Sequence, residues 1–266
     1  MKRRFIEQTY FVLSLAKRDI AIRFRGSLLG AVWLVINPLF TLGLYYYVFS
    51  VIFKVRWTSV SPDGHVVEQP AALSLFIGLI AFWFFSDCIT RAPSLIRENS
   101  SYVKKVVFPL GALPVMAVLS ALFSACVNLC LLLIFYVCSI GLPSWYIIFC
   151  PVLFIILGTG TLGIVYGLSA FGMYIPDLKS LMGPISMAIM FLTPIMYPLK
   201  NVPGRLQKVV QLNPLSSIVE GLRNVFFDHV MPSLSGMLIL SIVAVLLLAF
   251  GFYGFKKLRK GFADVL

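Results

Sequence analysis

The residues of this chain that could do chemistry are few, and their spacing argues against most of it. Gly158-Thr-Gly160-Thr-Leu-Gly163 matches the Gly-x-Gly-x-x-Gly pattern whose backbone amides cradle a dinucleotide pyrophosphate. That use requires a strand before the glycines and a helix opening after them. Here they lie inside a charge-free run, 106–176, where the same glycines, with Gly163-x-x-x-Gly167, let apolar helices approach closely. Gly-Lys never occurs, so the chain has no Gly-x-x-x-x-Gly-Lys-Ser/Thr phosphate loop and cannot be an ATPase by that route. His65 and His229 stand near no second ligand and no nucleophile. The cysteines, Cys88, Cys126, Cys130, Cys138 and Cys150, are odd in number and lack a Cys-x-x-Cys pair. They read as small apolar packing residues rather than a disulfide framework or a zinc site. Asp87 is the one acid embedded near an apolar run, four residues before Arg91, the spacing of a local i,i+4 ion pair. A proton-coupled carrier would need ionisable groups at mid-membrane, and a membrane-embedded enzyme would need clustered acids, histidines or a metal site. The residues offer neither, so the chain reads as a non-enzyme with no cofactor or metal of its own.

The elements that would position these residues are membrane spans. The composition is 60% hydrophobic and 12% charged, with a mean hydropathy of +0.96, which in 266 residues leaves room for one integral membrane domain and no separate soluble enzyme. A net charge of +12 would suggest nucleic acid in a soluble protein. Here the basic residues flank apolar runs, so anionic headgroups and topology explain them and nucleic-acid binding is not expected. Met-Lys-Arg-Arg is followed by Glu7, Gln8, Lys17, Arg18 and Asp19, so the apolar core of a signal peptide is missing.

Residues 1–25 carry Phe5, Ile6, Val12, Leu13, Ala16, Ile20 and Phe24 at roughly helical spacing, with Lys17, Arg18 and Arg23 among them. They are expected to form an amphipathic helix in the cytoplasmic interface; a poorly ordered basic tail is the alternative. Residues 26–266 are expected to form one six-helix transmembrane domain. Charge-free runs at 26–53, 69–86, 106–176, 180–199 and 230–255 mark its spans. The third is long enough for two crossings and is punctuated at Gly141-Leu-Pro143. The expected fold is all-α with six transmembrane helices, near 30–53, 71–90, 113–140, 145–172, 180–198 and 234–255. With the N-terminus inside, 16 of the 22 Lys and Arg fall on the cytoplasmic side and 6 outside, so both termini are expected in the cytoplasm.

Two connections are more than linkers. The inner one, Arg91 to Pro109, can start a short helix near Pro93 and ends in Lys104-Lys105. In the outer one, about 199–233, Asn213 as N-cap and Pro214 at the first turn begin a helix whose apolar side includes Leu215, Ile218, Val219 and Leu222. Facing outward between two spans, it is expected to dip partway into the membrane. The aromatic clusters Tyr45-Tyr46-Tyr47-Val-Phe49 and Phe82-Trp83-Phe84-Phe85 read either as interfacial belts and packing or as a channel wall, with Tyr46, Phe49 and Trp83 as lining candidates.

Four stretches, in order, resemble the transmembrane permease subunit of polysaccharide ABC exporters, the type-2 ABC permease family. The first is Arg23-x-Arg-x-Ser-x-Leu-Gly-x-x-Trp-x-x-x-x-Pro38. The others are Asn99 to Pro109 with Leu113-Pro114, Thr193-Pro-Ile-Met-Tyr-Pro198, and Asn213-Pro214 through Glu220-Gly-x-Arg223. The resemblance implies a homodimer in the bacterial inner membrane, docked on two separate ATP-binding cassette subunits that hold ATP and Mg. It implies a lipid-linked glycan as cargo, O-antigen favoured, although capsule and teichoic acid permeases share these motifs. On this chain the coupling loop would fall at Arg97, Glu98, Asn99, Lys104 and Lys105. The outer re-entrant region would hold Pro194, Pro198, Asn213, Pro214 and Glu220. A permease for a small drug or lipid, or a glycan-processing membrane enzyme, are the competing classes.

Overall fold

Backbone groups in a hydrocarbon layer must find their hydrogen-bond partners within their own segment, so long apolar runs become helices. The computed structural model describes residues 2–23, 27–54, 56–60, 66–100, 109–199 and 202–262. Its helices are α1 (Lys2–Arg23), α2 (Gly30–Ile52), α3 (Ala71–Glu98), α4 (Ala112–Ser139), α5 (Trp145–Tyr174), α6 (Leu178–Leu192), α7 (Gly204–Leu212), α8 (Pro214–Arg223) and α9 (Leu234–Gly261). Among the described residues the one departure from an all-helical chain is an antiparallel hairpin between α2 and α3. It pairs β1 (Arg56–Val60) with β2 (Val66–Pro70), segments rich in β-branched residues.

Among the described residues five helices, α2, α3, α4, α5 and α9, are long and apolar enough to cross a bilayer. The expected span at 180–198 differs: α6 has 15 residues and stops at Leu192, where Thr193 turns to an extended backbone ahead of Pro194. A helix of that length reaches about 22 Å, short of a hydrocarbon core of about 30 Å. Pro194 is the cause, because its ring disfavours a helical residue before it.

The central column is α3. Leu75, Phe76, Ile77, Ile80 and Ala81 have no exposed surface, enclosed by α4, α5, α6, α8 and the end of α2. In contrast, α9 packs mainly along α5 and turns Leu238, Ile239, Ile242, Phe250 and Tyr253 outward, as a lipid-facing helix would. That seam is a backbone-to-backbone approach: a Cβ on Gly251 would overlap the Gly163 carbonyl, and one on Gly163 would overlap the Leu247 backbone. Gly163 is therefore a packing residue, whereas Gly167, at the i+4 position, meets nothing. Of the cysteines, Cys88 and Cys150 are buried as packing residues; Cys126, Cys130 and Cys138 lie on the exposed side of α4.

The opening of α2 explains its motif residues. Gly30 sits at φ +51, a left-handed turn that favours glycine. Trp33 Nε1 donates to Ser27 Oγ across that turn at 3.0 Å. Buried Pro38 lies within the helix, and from Tyr46 to Ile52 the winding loosens to a π-helix.

Candidate functional site

Polar side chains in an apolar bundle need partners, and among the described residues three clusters bear on the expected sites. The first joins α1 to the bundle. Asp19 of α1 accepts from Arg91 Nη2 at 2.8 and 3.0 Å and from Ser120 Oγ of α4 at 2.7 Å. Arg23, in the last turn of α1, donates to Asp87 at 2.8 Å and lies 3.5 Å from Asp19. The expected i,i+4 pair of Asp87 with Arg91 is the long contact of the cluster, 3.9 Å. Each group instead takes its close partner from α1, since two arginines and two carboxylates alternating in one cluster neutralise one another better than one isolated pair. Leu15 and Ala16, both buried, supply the apolar part of the same seam against α4.

The second place is the C-terminal end of α3, where the coupling loop was expected. After a 3-10 turn at Ala92–Ser94 the chain resumes as the short helical stretch Leu95–Glu98. Arg97 donates Nη2 to the carbonyl of Met173, 2.6 Å away in the last turn of α5. A cation there satisfies a carbonyl with no helical partner and opposes the helix dipole. Glu98 meets Lys179 of α6 at 3.1 Å with both side chains more than half exposed, a pair worth about 1 kcal/mol at most. Asn99 turns its amide back to the Leu95 carbonyl at 2.9 Å. Lys104 and Lys105 lie outside the described residues.

The third place is the turn that ends α6. Thr193 is fully buried, and its hydroxyl accepts from Asn213 Nδ2 at 3.0 Å. Asn213 Oδ1 accepts the Leu215 amide at 3.0 Å and Pro214 follows, so the N-cap lies as the local sequence signals. Leu215, Ile218, Val219 and Leu222 of α8 are all buried. Pro194 is buried within the turn and Pro198 half-buried at its far end. The residue that closes this region is Arg223, 6% exposed, which ends the Glu220-Gly-x-Arg223 stretch and was otherwise counted among the outer charges. Its guanidinium donates to the carbonyls of Pro194, Ile195 (2.6 Å) and Ser74 (3.1 Å) and to Glu220 Oε1 (3.0 Å). Pro194 breaks the helix and leaves carbonyls without helical donors; a planar five-donor fork serves several of them from one side chain.

The aromatic candidates are dispersed. Tyr46 is exposed on the π-helical end of α2, and Phe49 is half-buried between the rings of Tyr45 and Phe53, 5.9 and 6.0 Å away. Trp83 lies on α3, edge-on to Phe76 at 5.9 Å.

The sequence profile of ABC-2 type transporters matches residues 10–227 of this chain, from α1 through the π-helical turn that follows α8. The chain belongs to that family. The matched segment of this ABC-2 transporter chain takes in all three polar sites, and α9 lies beyond it. Along its length the chain is similar to the O-antigen export system permease protein RfbA of Myxococcus xanthus, 27% identical over 98% of each protein. A Klebsiella pneumoniae protein of the same name is 23% identical over 95% of this chain and 93% of its own. The polysialic acid transport protein KpsM of Escherichia coli is 26% identical over 81% of each.

Proposed function

We propose that this ABC-2 transporter chain is the membrane subunit of an exporter for a lipid-linked surface polysaccharide, with O-antigen the favoured cargo. The observation that carries the reading is the end-to-end similarity to an O-antigen export permease, covering 98% of both chains. In this reading the subunit works as a homodimer in the inner membrane, and separate ATP-binding subunits, which hold ATP and Mg, dock against the end of α3. Both termini face the cytoplasm; α6, with the turn after it, makes a sixth crossing, and α7 and α8 are re-entrant on the outer side.

Arg97 and Glu98 have different parts in the proposed docking. Arg97 is engaged with the end of α5, whereas Glu98 is exposed and weakly paired. Charge reversal of Glu98 is therefore expected to lower ATPase stimulation with little change in thermal stability, and Arg97→Ala to lower both. ATPase assays of the reconstituted complex, beside unfolding curves of the permease alone, check this.

The proposed function is tested by complementation. Co-expressed with its ATPase in a bacterium lacking its own O-antigen permease, the chain should restore surface-displayed polymer. Polymer that stays on the cytoplasmic face, with the protein present in the membrane, would overturn the reading. A permease for a small lipid or drug draws on one observation, an apolar cavity of about 490 Å³ between α5, α6, α8 and α9. Lipid flipping by the complex without glycan export would favour it.

A further inference from the structure

We infer that a recess between α2, α3 and α4, lined by aromatic, aliphatic and polar side chains, is a carbohydrate subsite that holds a neutral sugar ring. The inference rests on the proposed glycan cargo and adds where, and by which groups, one of its rings is held. The recess has a volume of about 360 Å³ and is walled by Trp33, Asn37 and Thr41 of α2, Trp83 of α3, and Ser124 and Asn128 of α4. These are helices long and apolar enough to span a bilayer. Amide groups on such helices are costly against lipid tails and mark a water-filled path or a bound polar ligand. Neither the Asn37 nor the Asn128 amide has a hydrogen-bond partner among the described residues.

The chemistry of the wall is that of sugar recognition. A pyranose presents an apolar C–H face and a rim of hydroxyls, so it needs a flat apolar surface beside short donors and acceptors. Both indoles are held in place: Trp33 by its bond to Ser27, Trp83 by the edge of Phe76. Asn37 and Asn128 each offer donors and an acceptor. Thr41, whose hydroxyl donates to the Asn37 carbonyl at 2.9 Å, keeps lone pairs for a ligand hydroxyl. The volume falls in the lower part of the range of about 300–1,000 Å³ typical of small-molecule sites. The electrostatics select a neutral group over a phosphate. The cation at the rim is Arg23, already paired with Asp87 at 2.8 Å and close to Asp19.

The test uses the permease–ATPase complex in detergent-free nanodiscs, with Trp57 and Trp145 and every tryptophan of the ATPase and the scaffold protein replaced by Phe, so that emission comes from Trp33 and Trp83. The probe is short oligosaccharide released from the host's own surface polysaccharide. Saturable quenching is expected, with affinity lowered about tenfold by Asn37→Ala and again by Asn128→Ala, the scale of one hydrogen bond each. Tyr197→Phe, in the turn after α6, should leave it unchanged. Thr41→Val and Ser124→Ala serve if the amide variants do not assemble. Assembled Asn37 and Asn128 variants that bind and export as wild type overturn the subsite and leave the proposed function standing. A wild-type complex that exports no glycan overturns the function itself. Quenching by vesicles of a monoglucosyl lipid, with none by the free oligosaccharide, overturns the cargo as the source of the ring.

Discussion

Arg223 shows how one buried charge can be a structural necessity in an apolar bundle. Its donors reach Ser74 on α3, the broken end of α6 and Glu220 on its own helix, joining three elements at one point. Replacement by Leu strands the Pro194 and Ile195 carbonyls and leaves Glu220 without its cation. Loss of one partner from such a buried set costs about 3–5 kcal/mol. Arg223→Leu is therefore expected to lower the thermal midpoint of the detergent-purified protein strongly, read as loss of the monodisperse peak after heating. Arg223→Lys should recover only part of the loss, because a point charge cannot serve several carbonyls in the guanidinium plane. A Leu variant as heat-stable as wild type would remove the clamp from the account. The sequence marked Arg223 only as the end of a resemblance stretch and as one of the outer charges; its carbonyl partners Ser74, Pro194 and Ile195 are 28 to 149 residues away, so nothing local announced its burial. The Asn213 cap was legible because its partner is two residues away. Asp87 was legible only as far as Arg91, since its closer partner, Arg23, is 64 residues distant and is brought near by the packing of α1.

At the scale of elements, the glycines after Gly158 make a matched experiment. Gly163 and Gly251 meet backbone to backbone across the α5–α9 seam, while Gly167, on the same helix, has open space. Alanine at Gly163 or Gly251 is expected to push α9 away and lower thermal stability, and Gly167→Ala to change it little; equal effects at 163 and 167 would contradict the seam. Hydropathy located the long helices because charge-free length is all that a crossing requires. It overstated the length of α6 because 180–199 is as charge-free as a full span, and only Thr193-Pro194 inside it ends the helix. The hairpin between α2 and α3 was missed because it lies in a charged connection read solely for topology. Whether α6 and its turn amount to a crossing is decided by accessibility. In a cysteine-free background, a single cysteine at Gly204, the first residue of α7, should react with a membrane-impermeant thiol reagent from outside the cell. Reaction only after the cytoplasmic face is opened would sink the six-crossing proposal and the 16-to-6 charge argument with it.

For the whole molecule the question is where a polymer many sugars long could pass. One chain offers no through-path along its central column, since the side chains of α3 at Phe76, Ile77 and Ile80 have no exposed surface. Opening a route there would break the packing that holds the bundle together. The peripheral helices α2 and α6, like α9, present large unburied faces instead. On α2, Phe40 is 72% and Tyr46 58% exposed; on α6, Leu181, Ile185 and Phe191 are exposed as well. A second copy that brought α2 of one protomer opposite α6 of the other would cover these faces and leave a seam between them. Its aromatic side chains offer broad contact to sugar C–H surfaces without a charge to trap them. Tyr46 is the cleaner probe of that wall, because Phe49 also packs between Tyr45 and Phe53. Tyr46→Ala is expected to reduce glycan export severalfold at unchanged dimer yield. Cysteines at Phe40 and Ile185, oxidised across the copies in a background without native cysteines, should form a crosslink and block export, and reduction should restore it. A complete crosslink with export at the uncrosslinked rate would place the path elsewhere in the complex.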